Sequence, residues 1–431
     1  MFVIYSLILT LGFVLMLPLF ILRREKYASG FRERLGSYPE FQQNSRPVVW
    51  LHCVSVGETY AARPLVDELQ SQFPSHRIII STTTRTGHEL ARKIFGEKTD
   101  AIFYFPFDWK FSVRKALEHF RPSIVLLMET EIWPRFIREA HLSGIKLAIV
   151  NGRLSERSYR RYSKIGWFVR PVLSFVDVAL LQTESDMRSI NALGFTNRAV
   201  VTGNIKFDLE RSENESLLTE TFRGRFAVAA GERLIVAAST HDPEEKLVLD
   251  AFRILRRSFE TRLRLLIVPR HPERFDAVAR LLEDSEFLFS RRSARDSADD
   301  NKADIILLDS IGELRSVYPL ADVVFVGGSL IDHGGQSVLE PAAAEKAVVV
   351  GPHTDNFKAV VDELLSREAV VQLAPVGQIS EYSARLANVI ERLLRNDAER
   401  ESLGRNAKAA VAENRGATAR TVEALRPFLN A

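Results

Sequence analysis

Cysteine is nearly absent from the 431-residue chain: Cys53 stands alone. A single thiol closes no internal disulfide and supplies neither a zinc ribbon nor a cluster site, so the sequence reads as one for a reducing compartment. No segment has the form of a Walker A loop, of HExxH or of Asp-x-Asp, which discourages a P-loop, a zincin centre and a metal-bridged diphosphate. Biased tracts and short repeats are missing too. With 46% hydrophobic and 26% charged residues the composition is that of a folded protein, and disorder is excluded. The length exceeds one ordinary core and implies two to three domains.

The small net charge of +3 conceals an asymmetry: residues 1–208 hold 28 Lys and Arg against 19 Asp and Glu, and residues 209–431 hold 30 against 36. A basic first half followed by an acidic second half points the first toward an anionic partner such as phosphates or a membrane surface. From Phe2 to Leu22 the chain reads FVIYSLILTLGFVLMLPLFIL without a charge. A helix of that length reaches about 30 Å, the thickness of a bilayer core. Arg23, Arg24, Lys26, Arg32 and Arg34 follow, so the positive-inside rule leaves the rest of the chain cytoplasmic. A cleaved signal peptide fits less well, because no basic segment precedes the apolar run. Pro18 leaves a shallow interfacial anchor as an alternative to a full span.

Beyond residue 22, short apolar runs rich in β-branched residues alternate with stretches of helical period, the pattern of α/β construction. Strands are expected at Val48 to His52, Arg77 to Thr82, Ala101 to Phe105, Ile124 to Met128, Lys146 to Asn151 and Val178 to Gln182. A second set is expected at Leu234 to Ala238, Arg264 to Val268, Ile305 to Leu308, Val323 to Val326 and Ala347 to Val350. Two parallel sheets of five or six strands follow from this. Lys206 to Gly231 reads as a linker, Arg291 to Lys302 as a polar loop, and the end from Ser383 as long helices, LANVIERLLR being amphipathic. The architecture expected is two Rossmann-like lobes with an interlobe cleft: an anchor at 1–22, a first lobe at 23–208, a second at 209–382, and terminal helices at 383–431 that pack back on the first lobe. Ligands then belong at the carboxyl ends of the strands.

Several residues at such ends suit chemistry. Glu58 follows a strand and Gly57 at a helix start, where burial raises a carboxyl toward a general base's working range; the structural alternative is a first-turn Glu facing the helix dipole. Glu129 and Glu131 in METEIWP follow the strand Ile124 to Met128 and, two apart in extended chain, share a side; an ion-paired loop is the alternative. STTTRTGHEL reads first as helix capping and second as a phosphate cradle. Arg153, Arg157, Arg160, Arg161, Lys164 and Arg170 interleave with Tyr159, Tyr162, Trp167 and Phe168, which suits anionic lipid headgroups better than single-stranded nucleic acid in a chain with an apolar N-terminus. In the second half Arg270 and His271 stand at a strand end, where a guanidinium clamps phosphate or carboxylate. Gly312, Glu313 and Leu314 form a strand-to-helix turn. In VVFVGGSLIDHGGQSVLEPAAAEKAVVVGPHTDNF, Gly327, Gly328, Gly334 and Gly335 admit close backbone approach, a helix from about Gln336 offers free N–H groups to a phosphate, and Glu340 is placed to accept from ribose hydroxyls.

These motifs, in order, resemble those of the 3-deoxy-D-manno-octulosonic acid (Kdo) transferases of lipopolysaccharide biosynthesis: FRERLG after the apolar segment, then SVGE, METEIWP, NGRLSERS, TGNIKFD, PRHPERF, GEL, GGSL, LEP and GPHTDNF. The resemblance runs over nearly the whole chain. It implies a GT-B α/β fold and an inverting, metal-independent, cofactor-free glycosyltransferase that moves Kdo from CMP-Kdo to the lipid A precursor at the cytoplasmic face of the inner membrane, without a nucleic-acid partner. It further implies Glu58 as general base and Glu129 or Glu131 with Lys206 as the groups that stabilise the transition state. Pro269, Arg270, Gly312, Glu313, Leu314, Gly334, Gly335, Gln336, Ser337, Val338, Leu339, Glu340 and Asn356 are the implied donor-binding set. Gln336 and Ser337 replace the usual His-Asn pair, and Arg135 replaces the usual Asn after WP. The alternatives are a GT-B transferase for another activated sugar and a nucleotide-sugar binding protein without turnover.

Overall fold

A computed structural model of the chain describes residues 1–22, 29–208, 215–226, 232–259, 261–297 and 299–430, with the side chains of 16–22 and of Glu215 outside the description. Arg23, Arg24 and Lys26, expected to orient the apolar segment, therefore lie outside the described residues, as do 209–214 and 227–231 of the expected linker. The chain divides into two compact units, Met1–Asp208 with Asn414–Ala431, and Leu209–Glu413.

The first unit runs α1 (Phe2–Leu22), α2 (Phe31–Arg34), β1 (Val48–Cys53), α3 (Val56–Gln72), β2 (Arg77–Thr82), α4 (Arg85–Phe95), β3 (Ala101–Tyr104), α5 (Lys110–Phe120), β4 (Ile124–Met128), α6 (Pro134–Leu142), β5 (Lys146–Gly152), α7 (Glu156–Lys164), α8 (Gly166–Leu173), β6 (Val178–Leu181), α9 (Glu184–Ala192) and β7 (Arg198–Val201). All pairings are parallel, in the order β3-β2-β1-β4-β5-β6-β7. The order reverses between β1 and β4, and at such a switch point the loops after the two strands diverge to leave a crevice. Both faces of the sheet are covered, which is why its strands are continuous apolar runs. Trp50 fills one face against Phe103 and Phe136, each ring 5.1 Å away, and its indole N–H donates to Ser81 Oγ at 2.7 Å.

The second unit contains α10 (Glu215–Phe226), β8 (Arg233–Thr240), α11 (Glu244–Ser258), β9 (Leu263–Pro269), α12 (Phe275–Glu283), β10 (Phe289–Arg291), β11 (Ile305–Leu307), α13 (Leu314–Val317), β12 (Val323–Val326), α14 (Leu339–Ala343), β13 (Ala347–Val350), α15 (Lys358–Ser366), β14 (Val371–Gln372), α16 (Glu381–Arg395) and most of α17 (Asp397–Asn414). Its parallel sheet has the order β10-β11-β9-β8-β12-β13-β14, with the switch between β8 and β12. Leu386, Ile390 and Leu393 of α16 join its core, in line with the amphipathic spacing of LANVIERLLR.

Each sheet has seven strands rather than five or six. The unforeseen ones, β7, β10 and β14, are edge strands of two to four residues whose side chains are mostly half-buried, so their sequences lack the apolar density of the central strands. The expected linker contains α10, because Thr219, Phe222 and Phe226 recur at helical spacing and are buried. The expected loop 291–302 closes with a short 3-10 turn at Asp300–Lys302.

The last helix, α18 (Ala417–Leu429), returns to the first unit. Asp208 holds its start by accepting from Gly416 N and Thr418 N, both at 2.6 Å, and Val422, Leu425 and Leu429 complete the core behind α3. Among the described residues no helix is long and apolar enough to cross a membrane. The N-terminal segment does form the expected helix, but from Phe2 to Phe13 one side of α1 lies against the first unit through aromatic contacts and hydrogen bonds, instead of projecting free of it. Leu425 is fully buried, so Leu425→Ala is expected to cost about 2–5 kcal/mol; a urea midpoint moved by far less would place α18 outside the core.

Candidate active site

In the first unit the loops after β1 and β4 bring the expected catalytic residues together. Ser55 caps α3 by accepting from Glu58 N at 3.3 Å, while the Glu58 carboxylate reaches back, Oε2 accepting from Val54 N at 2.8 Å and Oε1 from Ser55 Oγ at 2.9 Å. The arrangement resembles a capping box shifted by one residue, the carboxylate meeting Val54 N–H rather than that of the cap residue Ser55, so the structural alternative for Glu58, an acid in the first turn, is realised as well. The same placement buries the carboxylate, and burial together with the negative charge of Glu129 pushes its pKa up to about 8, against the opposing pull of its two donors.

The chain does not stay extended after β4. Glu129 lies in the left-handed region at φ 54°, where a non-glycine residue is strained, and its N–H still bonds Val150 O at 2.9 Å. The argument that Glu129 and Glu131 share a side by extended spacing therefore fails. The turn sends Glu129 to Lys206, whose Nζ donates to Oε1 at 2.9 Å with both side chains largely buried. Among the described residues Glu131 makes no such pair, and burial with the charge of Glu129 raises its pKa.

Asn151, which the sequence reading passed over, fixes Lys206. At the end of β5, fully buried and at φ 54°, it accepts from Ile205 N through Oδ1 at 3.1 Å, and Asn204 Oδ1 accepts from Lys206 N at 3.0 Å. Thr130 ties the β4 loop to the NGRL segment by donating to Arg153 O at 2.6 Å. In STTTRTGHEL, Thr84 caps α4 by accepting from Gly87 N at 3.1 Å, which is the capping role expected first.

In the second unit the glycine-rich loop after β12 meets the loop after β8. A Cβ on Gly327 would stand 2.7 Å from both Ser239 O and Thr240 Cα, so only glycine permits that approach. The carboxylate of Glu244, fully buried at the start of α11, accepts from Gly328 N (2.6 Å), Ser329 N (3.0 Å), Leu330 N (2.9 Å) and His241 N (3.0 Å). Sequence reasoning missed Glu244; the signal was an acid just past the strand in STHDPEE. Gln336 lies between Arg270, whose Nε donates to Oε1 at 3.3 Å, and His241, whose Nε2 is 3.2 Å from its amide nitrogen. His241 also packs on His333 and His271, with centroids 4.1 and 5.2 Å away, and burial foremost lowers its pKa to about 4.

The expected helix from Gln336 begins later, as the five-residue α14. Gly334 and Gly335 at φ 88° and 76°, with Gly335 N bonded to Gly328 O and Asn356 N to Gly334 O, hold the preceding residues in a loop. Asn356 donates Nδ2 to His333 O at 2.9 Å, and Ser337, Val338 and Leu339 continue from Gln336. Pro269 closes β9 beside Arg270. Glu313, between Gly312 and Leu314, is instead held by Arg292 at 3.0 Å, and Glu340 stands 3.6 Å from Arg315.

Residues 29–209 match the family model described as 3-Deoxy-D-manno-octulosonic-acid transferase (kdotransferase). A 3-deoxy-D-manno-octulosonic acid transferase of Haemophilus influenzae is 36% identical over 94% of this chain and 92% of its own. The chain belongs to the Kdo transferase family. A Bordetella pertussis Kdo transferase is 33% identical, over 88% of this chain and 87% of its own. The Kdo transferase described here is thus a glycosyltransferase. Its GT-B-like fold is shared with MurG of Acinetobacter baumannii, at a TM-score of 0.53 and 14% identity over 85% of this chain and 97% of that one.

The raised pKa of Glu58 means that folding favours its neutral form. That contribution is whole below pH 4.5 and is lost as pH rises through about 8. A carboxyl carbon-13 titration is expected to place the Glu58 midpoint near 8, and Glu129→Gln, which removes the neighbouring charge, to move it down; a midpoint that stays put would show that Glu129 has no part in it.

Proposed function

We propose that the chain transfers Kdo from CMP-Kdo to a hydroxyl of the lipid A precursor lipid IVA, with inversion at the anomeric carbon, without a metal ion, at the cytoplasmic face of the inner membrane. The observation that supports this best is a buried carboxyl of raised pKa, Glu58, beside the Glu129–Lys206 pair at the switch point of the first sheet. Glu58 is the general base: it takes the proton of the acceptor hydroxyl as that oxygen bonds to the anomeric carbon, and the bond from that carbon to the phosphate oxygen breaks, its electron pair leaving with CMP. Glu129 and Lys206, fixed by Asn151 and Asn204, are the pair that stabilises charge in the transition state; Glu131 is not part of it. The first unit is the acceptor-binding one and the second the donor-binding one, where Arg270 and Gln336 meet the phosphate or the Kdo carboxylate. The leaving group carries one phosphate, so its charge is met by Arg270 and backbone N–H groups without a bridging cation.

Purified protein given CMP-Kdo generated in situ and tetraacylated lipid A precursor, with chelator present, is expected to yield products heavier by whole Kdo units in the mass spectrum, the number of steps giving the number of transfers. No gain from protein that still binds CMP would overturn the donor. Glu58→Gln is expected to lower turnover by about 10²–10⁴-fold while CMP binding persists. In the wild type the rate is expected to fall as pH drops below about 8, where Glu58 takes up a proton. Unchanged turnover in the variant would remove Glu58 from the mechanism.

A further inference from the structure

The described side chains of α1 fall into two stripes. One faces the first unit. The Phe2 ring lies 6.4 Å from both Phe168 and Phe175, Tyr5 donates to Asp108 Oδ2 at 2.7 Å, and Phe13 meets Trp109 edge-on at 4.9 Å. Arg135 donates from Nη2 to Phe2 O and to Ser6 Oγ, each at 2.8 Å, and Trp109 Nε1 donates to Thr10 Oγ1 at 3.0 Å. Asp108, 2% exposed, also accepts from Arg135 N and Phe136 N, so the latch is built into the start of α6. Arg135, the departure from the usual Asn, thus has a specific use in this chain.

The other stripe is Val3, Ile4, Leu7, Ile8, Leu11, Val14 and Leu15, each more than half exposed and all apolar. Their i, i+3, i+4 spacing makes a continuous face along about 20 Å of helix. Beneath α1 the unit is charged: Arg138 lies 5.0 Å from the Phe2 ring centroid, and Arg114, Arg135 and Arg138 surround the Glu139 carboxylate. A helix crossing the hydrocarbon would take this network with it, at several kcal/mol per ion, or leave the latch. α8 borders α1 at Phe168 and presents Trp167, 70% exposed; α7, which precedes it in the chain, presents Arg157, Arg161 and Lys164, also exposed.

We propose that α1 lies in the plane of the membrane over Phe2–Leu15, one face latched to the first unit and the other sunk among the acyl chains of an anionic bilayer surface, with α7 and α8 on the headgroups. The apolar face with a cationic border fits that occupant. The proposal deepens the reading of a membrane-borne acceptor, and it is tested without donor or acceptor, so its failure leaves the transferase assay untouched. A nitroxide is placed in full-length protein through Ile4→Cys, Ile8→Cys, Leu11→Cys or Leu15→Cys in turn, with Cys53→Ala, on phosphatidylethanolamine–phosphatidylglycerol vesicles. All four depths are expected to agree within about 5 Å and to lie about 5–10 Å below the headgroups. Depth that grows by about 16 Å from Ile4 to Leu15 would mean a spanning helix and overturn the proposal. Probes that stay dry of lipid while the protein sediments as a dimer would assign the face to a second copy and overturn it too. Arg161→Gln and Lys164→Gln are expected to weaken binding about fivefold each on these vesicles and not on phosphatidylcholine alone; an equal loss on both would refute the headgroup role.

Discussion

The second unit is organised around one buried carboxylate. A doubly wound sheet ends at its switch point in two diverging loops, each with backbone N–H groups that neither strand nor helix can satisfy. Glu244 collects four of them, three from Gly328 to Leu330 and one from His241, so a single side chain fixes the loop after β8 against the loop after β12. The close approach at Gly327 and the pairing of Arg270 with Gln336 both follow from that clamp. The first unit repeats the device with different residues: Asp108 closes the loop before α6, Asp186 accepts from Leu154 N, and Glu58 accepts from Val54 N. Carboxylates fixed in this way give each unit a rigid rim at the carboxyl ends of its strands.

That rim explains how one glutamate serves two purposes. As a first-turn acid reaching back to the helix start Glu58 is held by Ser55 and Val54; as a buried acid beside Glu129 it is kept near neutrality in pKa. Lys206 balances Glu129 but reaches it only because two asparagines fix the backbone of its short turn. The left-handed backbone at Glu129 and Asn151 is the strain that a precise placement of these groups requires, and it is borne where β4 and β5 end.

Much of this was legible in the sequence. Central strands declare themselves as unbroken β-branched runs, and β2, β4, β12 and β13 have the limits that their residues suggest. Glu58 and Glu129 stood out because each follows such a run, whereas Lys206 came only from the resemblance of TGNIKFD to the family's motif. Edge strands did not, since half-buried pairs such as Val371–Gln372 carry no pattern of their own. Glu244, Asn151 and Asp108 were hidden for another reason. Their importance lies in which distant backbone they satisfy, and an acid just past a strand, as in STHDPEE, does not announce that its partner is an amide 84 positions away. The apolar N-terminus misled in the opposite direction: a helix that is apolar all round suggests lipid on every side, yet here one side is met by the aromatic rings of its own unit.

The return of α18 bears on how the chain matures. Ala417, Val422, Leu425 and Leu429 belong to the core of a sheet whose last strand ended at Val201. On a ribosome, β1 to β7 emerge while the helix that shields one of their faces is still uncoded peptide, and the whole second unit is translated in between. The second unit can therefore settle first, with the first held open and its apolar face uncovered until the final turns appear. A premature stop between Glu413 and Val422 would leave a finished second unit attached to a first unit that lacks Val422, Leu425 and Leu429 from its core, a species for the quality-control proteases.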